Sequence, residues 1–102
     1  MQAKLQATRL ASQDYKQVLD YTIEQWGVEQ YRKYRTMLRE AIERIAEEPF
    51  NSKSRTRPDL FEGARIYPIG RHYLVYYISD EIVILARILH QQMDLPRHLE
   101  EI

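Results

Sequence analysis

The sequence predicts an α+β domain: an N-terminal strand, then an antiparallel helical hairpin, then a C-terminal β-meander, with the hairpin packed on a mainly antiparallel sheet. Three observations carry this. Two long stretches repeat apolar residues every three or four positions. Only Gly27 and Val28 separate them. The last third is instead rich in β-branched and aromatic residues, in short runs broken by turn residues.

The elements follow in order. Residues 4–9 alternate polar and apolar, with Leu5 and Ala7 on one side, as in a short half-buried strand. Ser12 is a suitable helix N-cap, because its hydroxyl can accept from an orphan backbone N–H. Beyond it, Tyr15, Val18, Leu19, Thr22, Ile23 and Trp26 share a helical face. Gly27 then suits the left-handed residue that ends a helix. A second helix is expected from near Glu29, with Tyr31, Tyr34, Leu38, Ala41, Ile42, Ile45 and Ala46 as its apolar stripe and Pro49 as its stop. Only Gly27 and Val28 lie between the two, so the helices must fold back on each other. Glu40 and Arg44 are spaced to pair on the outer face.

The stretch Asn51–Gly63 is polar and basic, with Lys53, Arg55 and Arg57, and reads as a loop. Strands are expected at 64–69, 72–78 and 82–89, joined tightly through Gly70-Arg71 and Ser79-Asp80-Glu81. Pro68 cannot donate to a ladder, so its strand should be at an edge or bulged there. Residues 93–99 leave the sheet pattern and suit a final helical turn.

At 102 residues the chain has the size of one domain, taken here as residues 1–102. It carries 15 Lys plus Arg against 15 Asp plus Glu, with hydrophobic residues at 44%. That balance excludes a disordered tail. It also argues against a protein that depends on wrapping nucleic acid, which needs excess positive charge. There is no cysteine, so disulfides, thiol nucleophiles and Cys-based zinc sites are ruled out. No apolar run approaches the length of a membrane span, and Met1–Arg9 lacks the apolar core of a secretory signal. A cytoplasmic protein is the expectation.

No catalytic constellation is evident. Ser12, Ser52 and Ser54 sit in no nucleophile-elbow context. His90, Asp94 and His98 are spaced by four, but Pro96 interrupts the helix that would align them, and His72 lies on another strand. They read better as polar or capping groups than as metal ligands. Arg65 and Arg87 stand out because they interrupt apolar strands. With Arg71 they could converge on one sheet face, where guanidinium forks beside His90 would suit a phosphate. Pairing with acids such as Glu62 or Asp94, or with a partner's carboxylates, weighs more than catalysis. Eight Tyr against two Phe fit interface use as well as core packing. Arg32-Lys33-Tyr34-Arg35 with Arg39 reads as a solvated helix face.

Four segments carry a family resemblance: Tyr21-Thr22-Ile23-Glu24-Gln25-Trp26-Gly27, Pro49, Gly70-Arg71-His72-Tyr73-Leu74-Val75-Tyr76-Tyr77, and the closing run from Ile84 to Leu99 with Arg87-Ile88-Leu89-His90-Gln91-Gln92-Met93-Asp94-Leu95-Pro96-Arg97-His98-Leu99. Together they closely resemble the ParE-type toxins of the RelE/ParE superfamily, the toxin halves of bacterial type II toxin–antitoxin modules. The resemblance implies a helical hairpin on an antiparallel sheet, no cofactor and no metal. It implies a cognate antitoxin, usually ParD-like, whose C-terminal segment wraps the toxin while its N-terminal part binds operator DNA. The toxin would meet DNA only through that partner, in a hetero-oligomer. It further implies inhibition of DNA gyrase by binding.

The superfamily's ribosome-dependent ribonucleases are the alternative, and Arg65, Arg87 and His90 would be their catalytic set here. No Tyr follows His90, and the chain is neutral; both departures favour the gyrase inhibitor. A degenerate module that keeps only antitoxin binding is the third possibility. The antitoxin is expected against Trp26, Tyr31, Tyr34, Arg65, Arg71, Tyr73, Arg87 and the strand Leu74–Ile78. Candidates for target contact are His90, Met93, Asp94, Arg97 and His98, although Met93, Leu95 and Leu99 could equally staple the tail to the sheet. Acids on the helices and at Glu100-Glu101 offset the basic groups.

Overall fold

A computed structural model describes residues 4–99; the Glu100-Glu101 pair lies outside them. The element order is β1 (Lys4–Ala7), α1 (Arg9–Trp26), α2 (Val28–Glu47), β2 (Arg55–Thr56), β3 (Arg65–Ile69), β4 (His72–Ser79), β5 (Ile82–His90) and α3 (Leu95–His98). One five-stranded sheet runs in the order β1-β5-β4-β3-β2. The β1–β5 pair is parallel and the other pairs are antiparallel. The α+β architecture expected from the sequence is therefore present. Among the described residues, no helix is long and apolar enough to cross a membrane.

Helix α1 starts earlier than Ser12. Its N-cap is Thr8, whose hydroxyl accepts from the Ala11 N–H at 3.0 Å and donates to the Ala86 carbonyl at 2.7 Å. One side chain thus caps the helix and ties it to β5, an advantage Ser12 lacks. Gly27 alone joins the helices. Its φ of 89° is costly for a residue with a Cβ, and its N–H closes α1 on the Ile23 carbonyl while its own carbonyl opens α2. On the outer face Arg44 pairs with Glu48 at 3.3 Å, rather than with Glu40.

The α2 stripe is buried as its spacing requires, with Leu38 and Ile45 fully enclosed. Each such side chain contributes about 1.5–3 kcal/mol of burial. These residues and Leu19 meet Tyr67, Leu74, Tyr76, Val83, Leu85 and Ile88 on one sheet face. The α1 stripe is shorter than expected: Ile23 and Trp26 lie outside the core, 39% and 60% exposed. The opposite sheet face is covered too. Leu95 and Leu99 of the tail close over Ile66, Val75 and Leu89. The tail is therefore stapled to the sheet by these two leucines, while Met93 stays outside, 43% exposed.

Residues 51–63 are not wholly loop, because Arg55 and Thr56 pair with Ile66 and Arg65. A two-residue strand leaves no periodicity to read. It also stops short of Pro68, which faces Tyr73 on its other side, so Pro68 sits where β3 has an open edge. In β5 the register slips between Val75↔Arg87 and Tyr76↔Leu85, leaving Ala86 as a bulge. The extra residue lets Leu85 and Ile88, three apart, enter the same core.

Candidate binding groove

A groove of about 940 Å³ runs between the helical hairpin and the ends of β4 and β5. Trp26, Tyr21, Met37 and Met93 line it as exposed apolar groups; Arg71, Arg87, His72, His90 and His98 supply its polar wall. Trp26 reaches the groove because Gly27 ends α1 one residue later, before the next turn of core could cover the indole. The Arg71 guanidinium lies 5.8 Å from its ring centre, a cation–π stack at the lip.

Tyr34 organises the floor. Its hydroxyl accepts from the Arg71 N–H at 3.1 Å and lies 2.5 Å from His72 Nδ1 and 3.2 Å from the Ile69 carbonyl. Burial raises the Tyr34 phenol pKa, against a smaller opposing pull from Arg71, so the phenol stays neutral. Gln91 fastens the same turn from above, its amide donating to the carbonyls of Gly70 and His72. The backbone that carries Arg71 is thus held from two sides.

His72 stacks edge-on against His90, with ring centres 5.2 Å apart. Its pKa is pushed down to about 4, first by burial and then by His90, with Asp14 pulling weakly the other way. It is neutral at physiological pH. The His90 Nδ1 accepts from the Gln92 N–H at 3.1 Å, which leaves the ring proton of the neutral form on Nε2.

Arg87 forms the deep end. Its Nε and Nη2 meet the two carboxylate oxygens of Asp14 at 2.8 Å and 3.1 Å, and Nη1 donates to the His98 carbonyl. The same carboxylate accepts the Ile88 N–H at 3.0 Å. β1 ends opposite Leu85, so Asp14 satisfies the β5 edge where that neighbour stops. Among the described residues, Arg87 therefore pairs with Asp14 rather than with Glu62 or Asp94.

The three arginines do not form one patch. Arg71 and Arg87 share the groove; Arg65 does not line it and lies near the C-terminal end of α2, with its Nε on Ser54 Oγ. Of the other expected contacts, Tyr34 is buried beneath the groove, Tyr31 is half-buried against the helix-side core, and Tyr73 packs on the opposite sheet face. Leu74, Val75 and Tyr76 are fully enclosed, so the strand Leu74–Ile78 offers no open apolar face there. Asp94 precedes α3 as its N-cap and Arg97 is exposed on it; neither lines the groove. Among the described residues, no cluster of three His, Asp or Glu is placed to hold a metal ion.

Asp14, Tyr21 and Met37 line the groove although the sequence did not single them out as site residues. Asp14 left a signal: it is an acid at a position of α1 that helical spacing from Ala11 and Val18 turns inward.

Comparison with known proteins agrees with this fold. The family described as "ParE toxin of type II toxin-antitoxin system, parDE" matches residues 5–95. Toxin ParE1 of Mycobacterium tuberculosis is 35% identical over 85 residues, covering 82% of this chain and 85% of that protein. Toxin ParE1 of Caulobacter vibrioides is 34% identical over 92 residues, covering 90% and 93%. Among solved structures, a chain of the chromosomal ParDE toxin–antitoxin system from P. aeruginosa shares the fold, with a TM-score of 0.73 at 18% identity over 86% of this chain and 95% of that one. With its hairpin-on-sheet fold and a match spanning most of its length, the chain belongs to the ParE toxin family of type II toxin–antitoxin systems.

Proposed function

We propose that this toxin inhibits DNA gyrase by binding it and is neutralised by a ParD-like antitoxin whose C-terminal segment occupies the groove, in a toxin–antitoxin hetero-oligomer. The observation that carries the antitoxin half is the Trp26–Arg71 stack at the groove lip. An exposed indole beside an exposed guanidinium fits a segment that alternates apolar and acidic side chains. The apolar anchors of that segment meet Trp26, Tyr21 and Met93; its acids meet Arg71. Tyr34 and the strand Leu74–Ile78 act from beneath, as support. Operator DNA is reached only through the antitoxin.

Support for binding over catalysis comes from the separation of Arg65 from Arg87 and His90, and from the engagement of Arg87 by Asp14. A ribonuclease would need those guanidiniums on one phosphate. Purified toxin tests the reading. Loss of gyrase supercoiling with translated mRNA intact supports it; mRNA cleavage on the ribosome with gyrase unaffected overturns it in favour of the ribonuclease. Growth on expression without antitoxin identifies a non-toxic module. For the antitoxin half, Arg71→Glu should weaken the complex by on the order of a hundredfold, as loss of a central charged anchor does.

A further inference from the structure

A second surface lies at the far end of α2. The helix has 20 residues and is therefore roughly 30 Å long, which puts Phe50 about that far from Trp26. Phe50 is 70% exposed, the most exposed of the large hydrophobic side chains described. The Arg65 guanidinium sits 5.0 Å from its ring centre.

This pair is built from within. Tyr76 donates its hydroxyl proton to the Pro49 carbonyl, so Ser54 must donate to Tyr76, and Arg65 Nε donates to Ser54 at 2.8 Å. Each proton in that relay has one direction. The buried Asn51 fixes the loop that carries it: its amide donates to the Glu48 carbonyl and its oxygen accepts from the N–H groups of Lys53 and Ser54. A buried polar network thus sets the direction of one arginine and supports one exposed phenylalanine. Among the described residues no carboxylate pairs with Arg65, in contrast to Arg87 with Asp14.

We infer that the Phe50–Arg65 pair is where the toxin grips its target: a protein surface presenting a carboxylate beside an apolar side chain. This rests on the reading of the chain as a toxin that acts by binding. The carboxylate meets the guanidinium already oriented by Ser54, and the apolar neighbour covers the Phe50 ring, so little ordering remains to be done on contact. A nucleic-acid backbone fits worse. The adjoining loop exposes Lys53 and Arg55, but Glu47 is exposed at the same helix end and the chain has no net positive charge to release counterions from a run of phosphates, whereas a single carboxylate needs only Arg65. The distance from Trp26 leaves the groove to a different segment.

The test is gyrase supercoiling with purified toxin, comparing wild type with Phe50→Ala and Arg65→Lys. Arg65→Lys keeps the charge but loses the Nε bond and the planar stack. Each variant should lose at least about tenfold in inhibition, with the Phe50→Ala melting temperature unchanged. If Arg65→Lys lowers the melting temperature, Phe50→Ala alone decides. Phe50→Ala inhibiting like wild type overturns the inference while leaving the binding reading intact. So does an unchanged inhibition with loss of a toxin self-dimer, which assigns the surface to a second copy. Wild-type toxin inert toward gyrase overturns the binding reading itself, and this inference with it.

Discussion

Asp14 and Arg87, on α1 and β5, close a two-pronged ion pair at 2.8 Å and 3.1 Å, and the same carboxylate holds the Ile88 N–H. Both side chains are nearly enclosed, at 10% and 13% exposure. Asp14→Ala would remove the one carboxylate that two guanidinium nitrogens and a strand N–H share. The expected loss is roughly 3–5 kcal/mol, measured by urea unfolding. Replacing both partners with apolar residues of similar size, Asp14→Leu with Arg87→Met, should recover only part of this. The buried charge is gone, but the Ile88 N–H still lacks its acceptor.

Gly70 cannot be replaced without moving Tyr34. A Cβ there would lie 2.6 Å from the ring, at a φ of +53° that side chains rarely adopt. Two costs therefore add in Gly70→Ala, backbone strain and a steric clash, each about 1–3 kcal/mol. They can be separated. In a Tyr34→Ala background the clash disappears and only the strain remains, so the two substitutions should be non-additive in thermal melts. Equal costs in both backgrounds would show that the ring simply moves aside.

How far the sequence discloses this structure differs between fold and site. The α2 stripe from Tyr34 to Ile45 was legible because a helix buries one face at a fixed period, and the structure buries that face. The same rule misled at Ile23 and Trp26: spacing shows which side a residue faces, not whether the sheet still lies beneath it. Thr8 continues the alternation of a strand, and its role as a cap is hidden because it depends on Ala86, 78 positions away. In the groove, the charged Arg87 within an apolar strand announced that it needed a partner. The partner lies 73 positions away on α1, so nearer acids such as Asp94 looked more plausible. Arg65 and Arg87 interrupt their strands in the same way, yet the register sets them opposite neighbouring residues of β4, Tyr76 and Val75, whose side chains leave opposite faces of the sheet.

The β4–β5 turn holds both Asp80 and Glu81 in the left-handed region, at φ 50° and 65°. Two such residues match the tight hairpin turn whose twist fits the flanking strands, and that turn prefers Asp-Gly. Glu81 is exposed and carries a Cβ that the conformation penalises. Glu81→Gly removes about 1–2 kcal/mol of backbone strain and adds about 0.5–1 kcal/mol of unfolded-chain entropy. A net gain on the order of 0.5 kcal/mol is expected. It should appear as a higher urea midpoint with an unchanged slope. A lower midpoint would mean that Glu81 makes an interaction worth more than the strain.

His72 makes stability depend on pH in a direction that can be worked out. Burial and the neighbouring His90 depress its folded pKa from the ordinary 6.5 to about 4. In the unfolded chain the imidazole takes up a proton as the pH falls through 6.5; in the folded chain it does not until about pH 4. Between those values the unfolded state binds more protons, so stability must fall as the pH falls. Above 6.5 this group is neutral in both states, and below 4 it is charged in both, so its contribution levels off at each end. His72→Gln cannot titrate but can still hydrogen-bond the Tyr34 hydroxyl through its amide. Urea unfolding at pH 7.5 and pH 5 should therefore show a larger loss for wild type than for His72→Gln, and the imidazole resonances of folded wild type should leave His72 unprotonated at pH 5. An equal loss in the two proteins, or a His72 resonance that titrates near 6.5, would mean that the ring is not held neutral between Tyr34 and His90.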